Sequence, residues 1–453
     1  MNLKSMNSHI SRQENTVRLD DRLKKLLKNI FGSAAARFVN LFTTLLLVPL
    51  TVNALSPIEY AFLSMAISLS ILSSYSDLGM GMAIVNTLAA ESSADKPRRS
   101  QRAISVVWFT LLTISGSGLV LLFLVWIGMD QFASTGNINQ YQALLLSASM
   151  VLLGLPSGLI QRILFARHCT TEANAWSTAG RLLSLAFVWI LVKTDMASLP
   201  LLVFGVIGVP VVVSWLSALF VFTRRSMRLL KPKFSLYDRR LQKPYFISGL
   251  SFMCLQMVPY VETGMDTLLV GFIIGTQQVP ALDVFLRLFT YVPALVSIAL
   301  FPLWPAIAHA KAAGDILWIM KIRRWAIILV SALATIISLM LLIYGQDFIL
   351  WWTSKQMHLP LFVLFGLGVF SILTCIGLVQ SMILNGIGVI GRQVRLYLVY
   401  LFFLFVLKFV LLLNFGLLGM IWALNGCFIY RLIMAEKLLR TQINVDMVKV
   451  KII

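Results

Sequence analysis

Eight stretches of more than 20 residues contain no Asp, Glu, Lys or Arg, and this feature limits most strongly what the chain can fold into. Each is long enough for an α-helix that crosses a bilayer, which needs ~20 apolar residues. Only 12% of the residues are charged, against about a quarter in soluble domains. Interrupted apolar stretches near 60–88, 173–192, 245–274 and 396–413 bring the expected number to about twelve helices. The sequence therefore predicts an all-α integral membrane protein. The uncharged stretches are residues 38–58, 103–129, 131–161, 196–223, 288–310, 325–346, 356–391 and 409–430.

The basic residues are distributed unevenly between the two sides of the predicted helices. With the N-terminus inside and about twelve alternating helices, the inside segments hold 33 of the 38 Lys and Arg. This bias predicts that the N- and C-termini both lie in the cytoplasm. The same bias explains the net charge of +20 without nucleic-acid binding. Anionic membrane lipids are therefore expected partners of the basic inside segments. The inside segments are 1–29, 89–102, 162–181, 224–243, 311–324, 392–395 and 431–453.

A basic segment near the middle of the chain divides the predicted helices into two groups of about six. The short sequences "GLIQ" at 158–161 and "GLVQ" at 377–380 lie 219 positions apart and suggest an internal repeat. An even number of helices in each half gives parallel repeats, with a V-shaped cavity between them. The predicted domains are a cytoplasmic amphipathic leader (1–29), an N-terminal six-helix bundle (30–226), a basic cytoplasmic linker (227–243), a C-terminal six-helix bundle (244–440) and a cytoplasmic tail (441–453). A solvated lead-in is the alternative for the leader.

The sequence contains no motif that indicates an enzyme, a metal site or a cofactor. The four Cys and four His are isolated and lack metal-ligand or disulfide spacing. The glycine pattern "GIGVIG" at 386–391 has no preceding strand and no acid about 20 residues later, so we interpret it as a turn at a helix end. The sequence "SPIE" at 56–59 is a capping box, which assigns Glu59 to helix initiation.

Two acidic residues, Glu262 and Asp266, lie four positions apart in an apolar helix without a nearby base. By helical rise, Asp266 lies about 14 Å and Glu262 about 20 Å from the helix end at Gly275, near the bilayer midplane. A charge at the centre of a helix costs about 2.5–3.5 kcal/mol, so such groups usually face a cavity or a partner. We expect these carboxylates, and Asp77 at similar depth, to bind H⁺ or Na⁺ or to hold bases in place. The protonated, neutral form is the alternative.

The remaining intramembrane charges have local alternatives. Asp283 and Arg287 have the spacing of a helical ion pair, and Arg37 and Lys408 lie close enough to helix ends to reach a membrane surface. Arg37 and Asn40 nevertheless follow one helical stripe, and Asp283 and Arg287 follow another. Such stripes suit a polar cavity in which bases hold phosphate oxygens. The expected substrate-binding residues are Arg37, Asn40, Arg287 and Lys408, and the expected ion-coupling or charge-pairing residues are Asp77, Glu262, Asp266 and Asp283.

Several segments resemble a family of membrane exporters. "DTLLVGFIIG" followed by "VPALDVFLRLFTYV" resembles the seventh and eighth helices of the multidrug/oligosaccharidyl-lipid/polysaccharide (MOP) exporter superfamily. "VPLTVNALSPIEYAFLSMAISLSILSSYSDLGMGMAI" resembles its first and second helices. The most similar branch is the Wzx-type polysaccharide or O-antigen flippases. The resemblance implies a charged cavity that includes Arg37, Asp77, Asp266, Arg287 and Lys408.

The same resemblance implies a function in the bacterial inner membrane. Such flippases move undecaprenyl-diphosphate-linked oligosaccharides by alternating access, with H⁺ or Na⁺ as coupling ions, for synthesis of O-antigen, capsule or exopolysaccharide. Polysaccharide polymerases and assembly proteins are implied partners. A multidrug or cation antiporter of the same superfamily is the main alternative, but its cavity would favour acids over Arg and Lys. A membrane glycosyl polymerase or ligase and a non-transporting scaffold or scramblase are further alternatives.

Overall fold

The computed structural model describes residues 32–72, 77–91, 97–131, 138–167, 169–225, 227–300 and 303–452, and none of these residues lies in a β-strand. The predicted amphipathic leader at 1–29 lies outside the described residues. Most of the described chain is helical, as the sequence predicts. The helices are α1 (Gly32–Ala54), α2 (Pro57–Ser70), α3 (Met80–Glu91), α4 (Pro97–Gln131), α5 (Ile138–Ala166), α6 (Thr170–Lys193), α7 (Leu199–Val203), α8 (Val209–Thr223), α9 (Arg239–Pro259), α10 (Asp266–Ile273), α11 (Val279–Leu300), α12 (Leu303–Ala312), α13 (Ile316–Thr353), α14 (Leu361–Ile387) and α15 (Ile390–Ile452).

Nine helical segments of the described chain are long and apolar enough to cross a membrane. Two more apolar segments are interrupted: α2 and α3 are separated by residues 71–79, and α9 and α10 are joined by a π-helical turn at Tyr260–Gly264. The protein is therefore a multi-pass membrane protein. The number of about twelve helices stays a prediction.

Helix α15 folds back on itself and forms a helical hairpin. Gly416 has φ 61° and ψ −148°, a conformation that is essentially restricted to glycine. The rings of Tyr400 and Phe428 lie 6.3 Å apart, whereas a straight helix would place these residues about 40 Å apart. The chain therefore reverses at Gly416.

Two local predictions from the sequence are confirmed by the helix ends. Ser56 caps α2, its backbone N–H donates to the Glu59 carboxylate (3.0 Å), and the N–H of Glu59 donates to the Ser56 hydroxyl (3.4 Å). Gly388, in "GIGVIG", ends α14 with φ 80°. Glu59 is thus a capping residue, and the glycine pattern is a helix-end turn.

The helix bounds agree with an internal repeat. Helix α4 begins at Pro97 and α13 at Ile316, which are 219 positions apart.

The apolar cores show how the two halves meet. One core lies within the first half, around Ile104 and Leu159, and one lies within the second half, around Val379. A third core is shared, and it packs α2 of the first half against α10 and α11 of the second.

Helix α9 crosses between the halves. It begins the second half of the sequence, but its first part packs against α3 and α4 of the first half. At the closest point Gly79, with φ 72°, meets Gly249: a Cβ on Gly79 would lie 1.9 Å from the Gly249 carbonyl oxygen. Only glycine fits at this contact, which brings Gln256, further along α9, within reach of α5.

Candidate functional site

A cavity of about 490 Å³ lies within the membrane part of the first half. Its walls come from α1, α2, α5, α6 and the helix formed by α7 and α8. Of the described residues that line it, all except Arg287 belong to the first half. The lining is rich in hydroxyl and charged groups: Thr43, Thr44, Thr51, Tyr60, Ser70, Asp77, Ser157, Gln161, Arg162, Ser177, Arg181, Ser184, Ser214, Ser217 and Arg287.

Two of the three arginines in this cavity are paired with acids. Arg162 Nε donates to Asp77 (2.8 Å), and its Nη2 donates to the Gln256 side chain (3.1 Å). Arg287 Nε donates to both carboxylate oxygens of Asp283 (2.9 and 3.0 Å). The Asp283–Arg287 pair confirms the local ion pair that the four-residue spacing indicates.

The third arginine, Arg181, makes no hydrogen bond or ion pair with another residue in the described part of the chain. Its side chain remains accessible because it faces the cavity. Tyr291, on α11, lies close enough to interact electrostatically with both Arg181 and Arg287, but it does not line the cavity and its hydroxyl is buried. The Arg181 guanidinium therefore presents donors that are available to a ligand in the cavity.

The sequence did not single out two of the arginines that line the cavity, Arg162 and Arg181. It placed residues 162–181 in a cytoplasmic segment, whereas α5 continues to Ala166 and α6 begins at Thr170. Arg181 therefore lies three turns inside α6. The signal that was present in the sequence is a small polar stripe on one helix face, formed by Ser177, Arg181 and Ser184, all of which line the cavity.

Asp283 also joins the two halves of the protein. It accepts hydrogen bonds from Tyr60 (2.8 Å) and Ser64 (3.2 Å) on α2, in addition to those from Arg287 on its own helix. Ser64 and Asp283 lie 219 positions apart, the same offset that separates the two short sequences of the predicted repeat. The contact is buried. One carboxylate therefore connects a cavity arginine to the interface between the halves.

We expect Tyr60→Phe to loosen this interface. A hydrogen bond to a charged group contributes about 1.5–3 kcal/mol, and its loss should accelerate local opening of α2 and α11 about 10- to 150-fold. Hydrogen–deuterium exchange of residues 57–70 and 279–300 in detergent micelles would measure the change. Tyr141→Phe is the matched control, since Tyr141 is exposed and its ring packs edge-on against Phe62. Unchanged exchange in Tyr60→Phe would show that this hydrogen bond does not hold the halves together.

Lys408 and Asp266 form an ion pair whose two side chains are both 0% exposed. The Lys408 ammonium also donates to the backbone carbonyls of Val261 (3.1 Å) and Glu262 (2.6 Å) in the turn between α9 and α10. Neither residue is among those that line the cavity described above. Helix α15 places the Lys408 ammonium against this turn, in the interior of the protein. The sequence suggested that Lys408 lies either in the cavity or at a membrane surface, and the structure shows neither position.

Glu262 has a base partner that the sequence did not indicate. Its carboxylate forms an ion pair with Arg431 and accepts a hydrogen bond from the Tyr400 hydroxyl (2.9 Å). The Arg431 guanidinium stacks over the Phe428 ring at 3.7 Å from the centroid. Both partners come from α15, and both charged side chains are about nine-tenths buried. The two acids that seemed unpaired in the sequence are thus each paired with a base in the structure.

The predicted stripe on α1 lies apart from these clusters. Arg37 is exposed and does not line the cavity, and Asn40 is half-buried with a buried side-chain oxygen that lacks a hydrogen-bond partner among the described residues. The structure thus brings Asp77, Asp283 and Arg287 to the cavity or its edge. It places Glu262, Asp266 and Lys408 at the turn between α9 and α10. The roles of all eight residues stay predictions.

The comparisons with known proteins agree with this architecture. A family model described as "Polysaccharide biosynthesis protein" matches residues 26–311. No curated protein sequence matches the chain. Among solved structures, the lipid II flippase MurJ in an inward closed conformation has a TM-score of 0.69 at 11% identity, with 93% of this chain and 90% of that chain covered.

Transporters of the MOP superfamily have the same fold. A multidrug resistance MATE family transporter in its inward-facing conformation has a TM-score of 0.65 at 14% identity, with 91% of this chain and 98% of that chain covered. Its outward-facing conformation has a TM-score of 0.61 at 14% identity, with 92% and 96% covered. At these identities the likeness establishes the two-lobed fold. With the sequence match over more than half of its length, the chain belongs to the polysaccharide biosynthesis protein family and has the fold of the MOP superfamily transporters.

Proposed function

We propose that this protein is a flippase that moves polyprenyl-diphosphate-linked oligosaccharides across the bacterial inner membrane by alternating access. The observation that carries the proposal is the accessible guanidinium of Arg181, which has no acidic partner among the described residues, in a membrane-embedded cavity that also contains Arg162 and Arg287. A guanidinium inside the membrane is expensive unless a counter-charge or water solvates it. An anionic ligand supplies that counter-charge.

The chemistry of the cavity suits a diphosphate and sugars. Arginine presents a planar fork of donors that matches the oxygens of a phosphate or a carboxylate, which favours an anionic group over a neutral lipid. The serine and threonine hydroxyls of the lining can exchange hydrogen bonds with sugar hydroxyls. The volume of about 490 Å³ is in the range of small-ligand pockets. The apolar polyprenyl tail remains in the lipid phase.

The family and the fold support the same substrate class. The matched family model carries the description "Polysaccharide biosynthesis protein", and MurJ, one of the similar structures, is a lipid II flippase. We extend the proposal to cytoplasmic termini, to H⁺ or Na⁺ as coupling ions, and to anionic lipids, a polysaccharide polymerase and assembly proteins as partners. The alternative of a MATE-like cation antiporter fits the fold, but Arg181, the cavity arginine without an acidic partner among the described residues, disfavours a cationic ligand.

A reconstituted system tests the proposal directly. The purified protein in proteoliposomes should move a fluorescent polyprenyl-diphosphate disaccharide between leaflets faster than protein-free vesicles do. The matched polyprenyl monophosphate should be a weaker substrate, because it carries fewer phosphate oxygens for the arginines. The lipophilic cation tetraphenylphosphonium should not compete. Transport of the cation without transport of the diphosphate lipid would favour the antiporter and reject the flippase.

A further inference from the structure

The turn between α9 and α10 presents backbone oxygens to the interior of the second half. Within this turn the Met265 N–H donates to the Tyr260 carbonyl five residues earlier (2.9 Å), instead of to the carbonyl four residues earlier as in an α-helix. The register shift leaves the carbonyls of Val261 and Glu262 available to a group outside the helix. The Lys408 ammonium takes both.

A carboxylate completes this set of oxygens. Asp266, at the first position of α10, contributes Oδ1 to the Lys408 ammonium. Its second oxygen, Oδ2, is buried and has no hydrogen-bond partner in the described part of the chain. The site thus offers two carbonyl oxygens and one carboxylate, all directed at a single positive charge that is 0% exposed.

This ligand set is that of a hard monovalent cation. Such ions are bound by carboxylate and carbonyl oxygens, and a carboxylate can use either one or both of its oxygens. One carboxylate also balances one positive charge, which a buried site requires. We propose that Lys408 is a built-in cation, whose ammonium occupies an oxygen-lined site for a dehydrated monovalent cation such as Na⁺.

The burial of the pair has a consequence for ion coupling. If Lys408 left the site, either its ammonium or the Asp266 carboxylate would be uncompensated in an apolar surrounding that includes Leu404 and Met265. The pair therefore persists, and Asp266 does not bind an exchangeable Na⁺ in this protein. Any coupling ion binds elsewhere, in contrast to the role that the sequence suggests for this residue.

The test compares cation effects on the full-length protein in detergent, with Na⁺, K⁺ or N-methylglucamine at equal ionic strength. The melting temperature of the wild type should be the same in all three. Lys408→Met keeps most of the side-chain volume but removes the charge, so its melting temperature should fall in N-methylglucamine and rise saturably with Na⁺. The double variant Lys408→Met/Asp266→Asn should lose this dependence. Lys193→Met, the same substitution at an exposed lysine, is the control.

Two results would overturn the proposal. One is saturable stabilisation or binding of ²²Na⁺ by the wild type that Asp266→Asn abolishes, since the site would then take an exchangeable ion. The other is a Lys408→Met protein that is equally unstable in all three cations. If this variant unfolds during extraction in N-methylglucamine, the yield of folded protein in Na⁺ gives the same comparison. These measurements do not depend on the transported substrate, so their outcome is separate from that of the flippase proposal.

Discussion

Replacing Arg181 by glutamine should weaken binding of a polyprenyl-diphosphate lipid about 10- to 150-fold, because a hydrogen bond to a charged group contributes about 1.5–3 kcal/mol. Arg181 is the most informative arginine for this purpose. It has no acidic partner among the described residues, so its removal leaves no unpaired acid behind. Removal of Arg287 would leave Asp283 without its base, and removal of Arg162 would do the same to Asp77. Either change would alter the stability of the protein as well as its affinity for the ligand.

Two control variants separate charge from geometry in this experiment. Arg181→Lys keeps the charge but loses the planar fork, so its affinity should lie between those of the wild type and Arg181→Gln. Lys193→Gln, at the exposed end of the same helix, should bind like the wild type. Affinity is measured by fluorescence titration, together with flipping rate in proteoliposomes. Wild-type affinity in Arg181→Gln would show that this guanidinium does not contact the diphosphate.

Replacing Glu262 by glutamine should destabilise the protein by about 3–5 kcal/mol, the usual cost of removing one partner of a buried ion pair. Arg431 would remain buried between the Tyr400 and Phe428 rings without a counter-charge. The double variant Glu262→Gln/Arg431→Met should recover much of the loss, because it removes both charges. Unfolding in mixed micelles with increasing dodecyl sulfate measures these changes.

The control for Glu262 is a second ion pair that involves α15, the helix that carries Arg431. Glu436 pairs with Arg323 and Arg440 nearer the end of α15, where the Arg440 side chain is 77% exposed. The Glu436 side chain is 19% exposed, about twice as much as that of Glu262, so Glu436→Gln should destabilise the protein less than Glu262→Gln does. Equal destabilisation by Glu262→Gln and Glu436→Gln would contradict the role of burial.

The sequence alone predicted the features of the fold that depend on local properties. Membrane insertion follows from the apolarity of each segment, so the long uncharged stretches identify the spans. The capping box at Ser56 and Glu59 and the helix end at Gly388 involve residues close in sequence. The Asp283–Arg287 pair was predictable for the same reason, because residues four apart share a helix face.

Segment boundaries were harder to predict, and this affected the candidate site. Arg162, Arg181 and Arg431 each lie at the edge of an apolar stretch, where a basic residue ordinarily marks a cytoplasmic loop. The helices continue past these positions, so the three side chains lie inside the bundle. A pattern of basic residues gives the orientation of a membrane protein but not the depth of each base.

Only the tertiary structure decided which charges meet. Glu262 and Arg431 are 169 positions apart, and Asp266 and Lys408 are 142 apart. Their pairing depends on the reversal of α15 at Gly416 and on the turn that interrupts α9 and α10. The hydropathy of a segment depends only on its own residues, so the sequence alone determines which segments span the membrane. The choice of partner for a buried charge depends on which helices are neighbours, because the cost of burial is removed only by a group brought within hydrogen-bond distance.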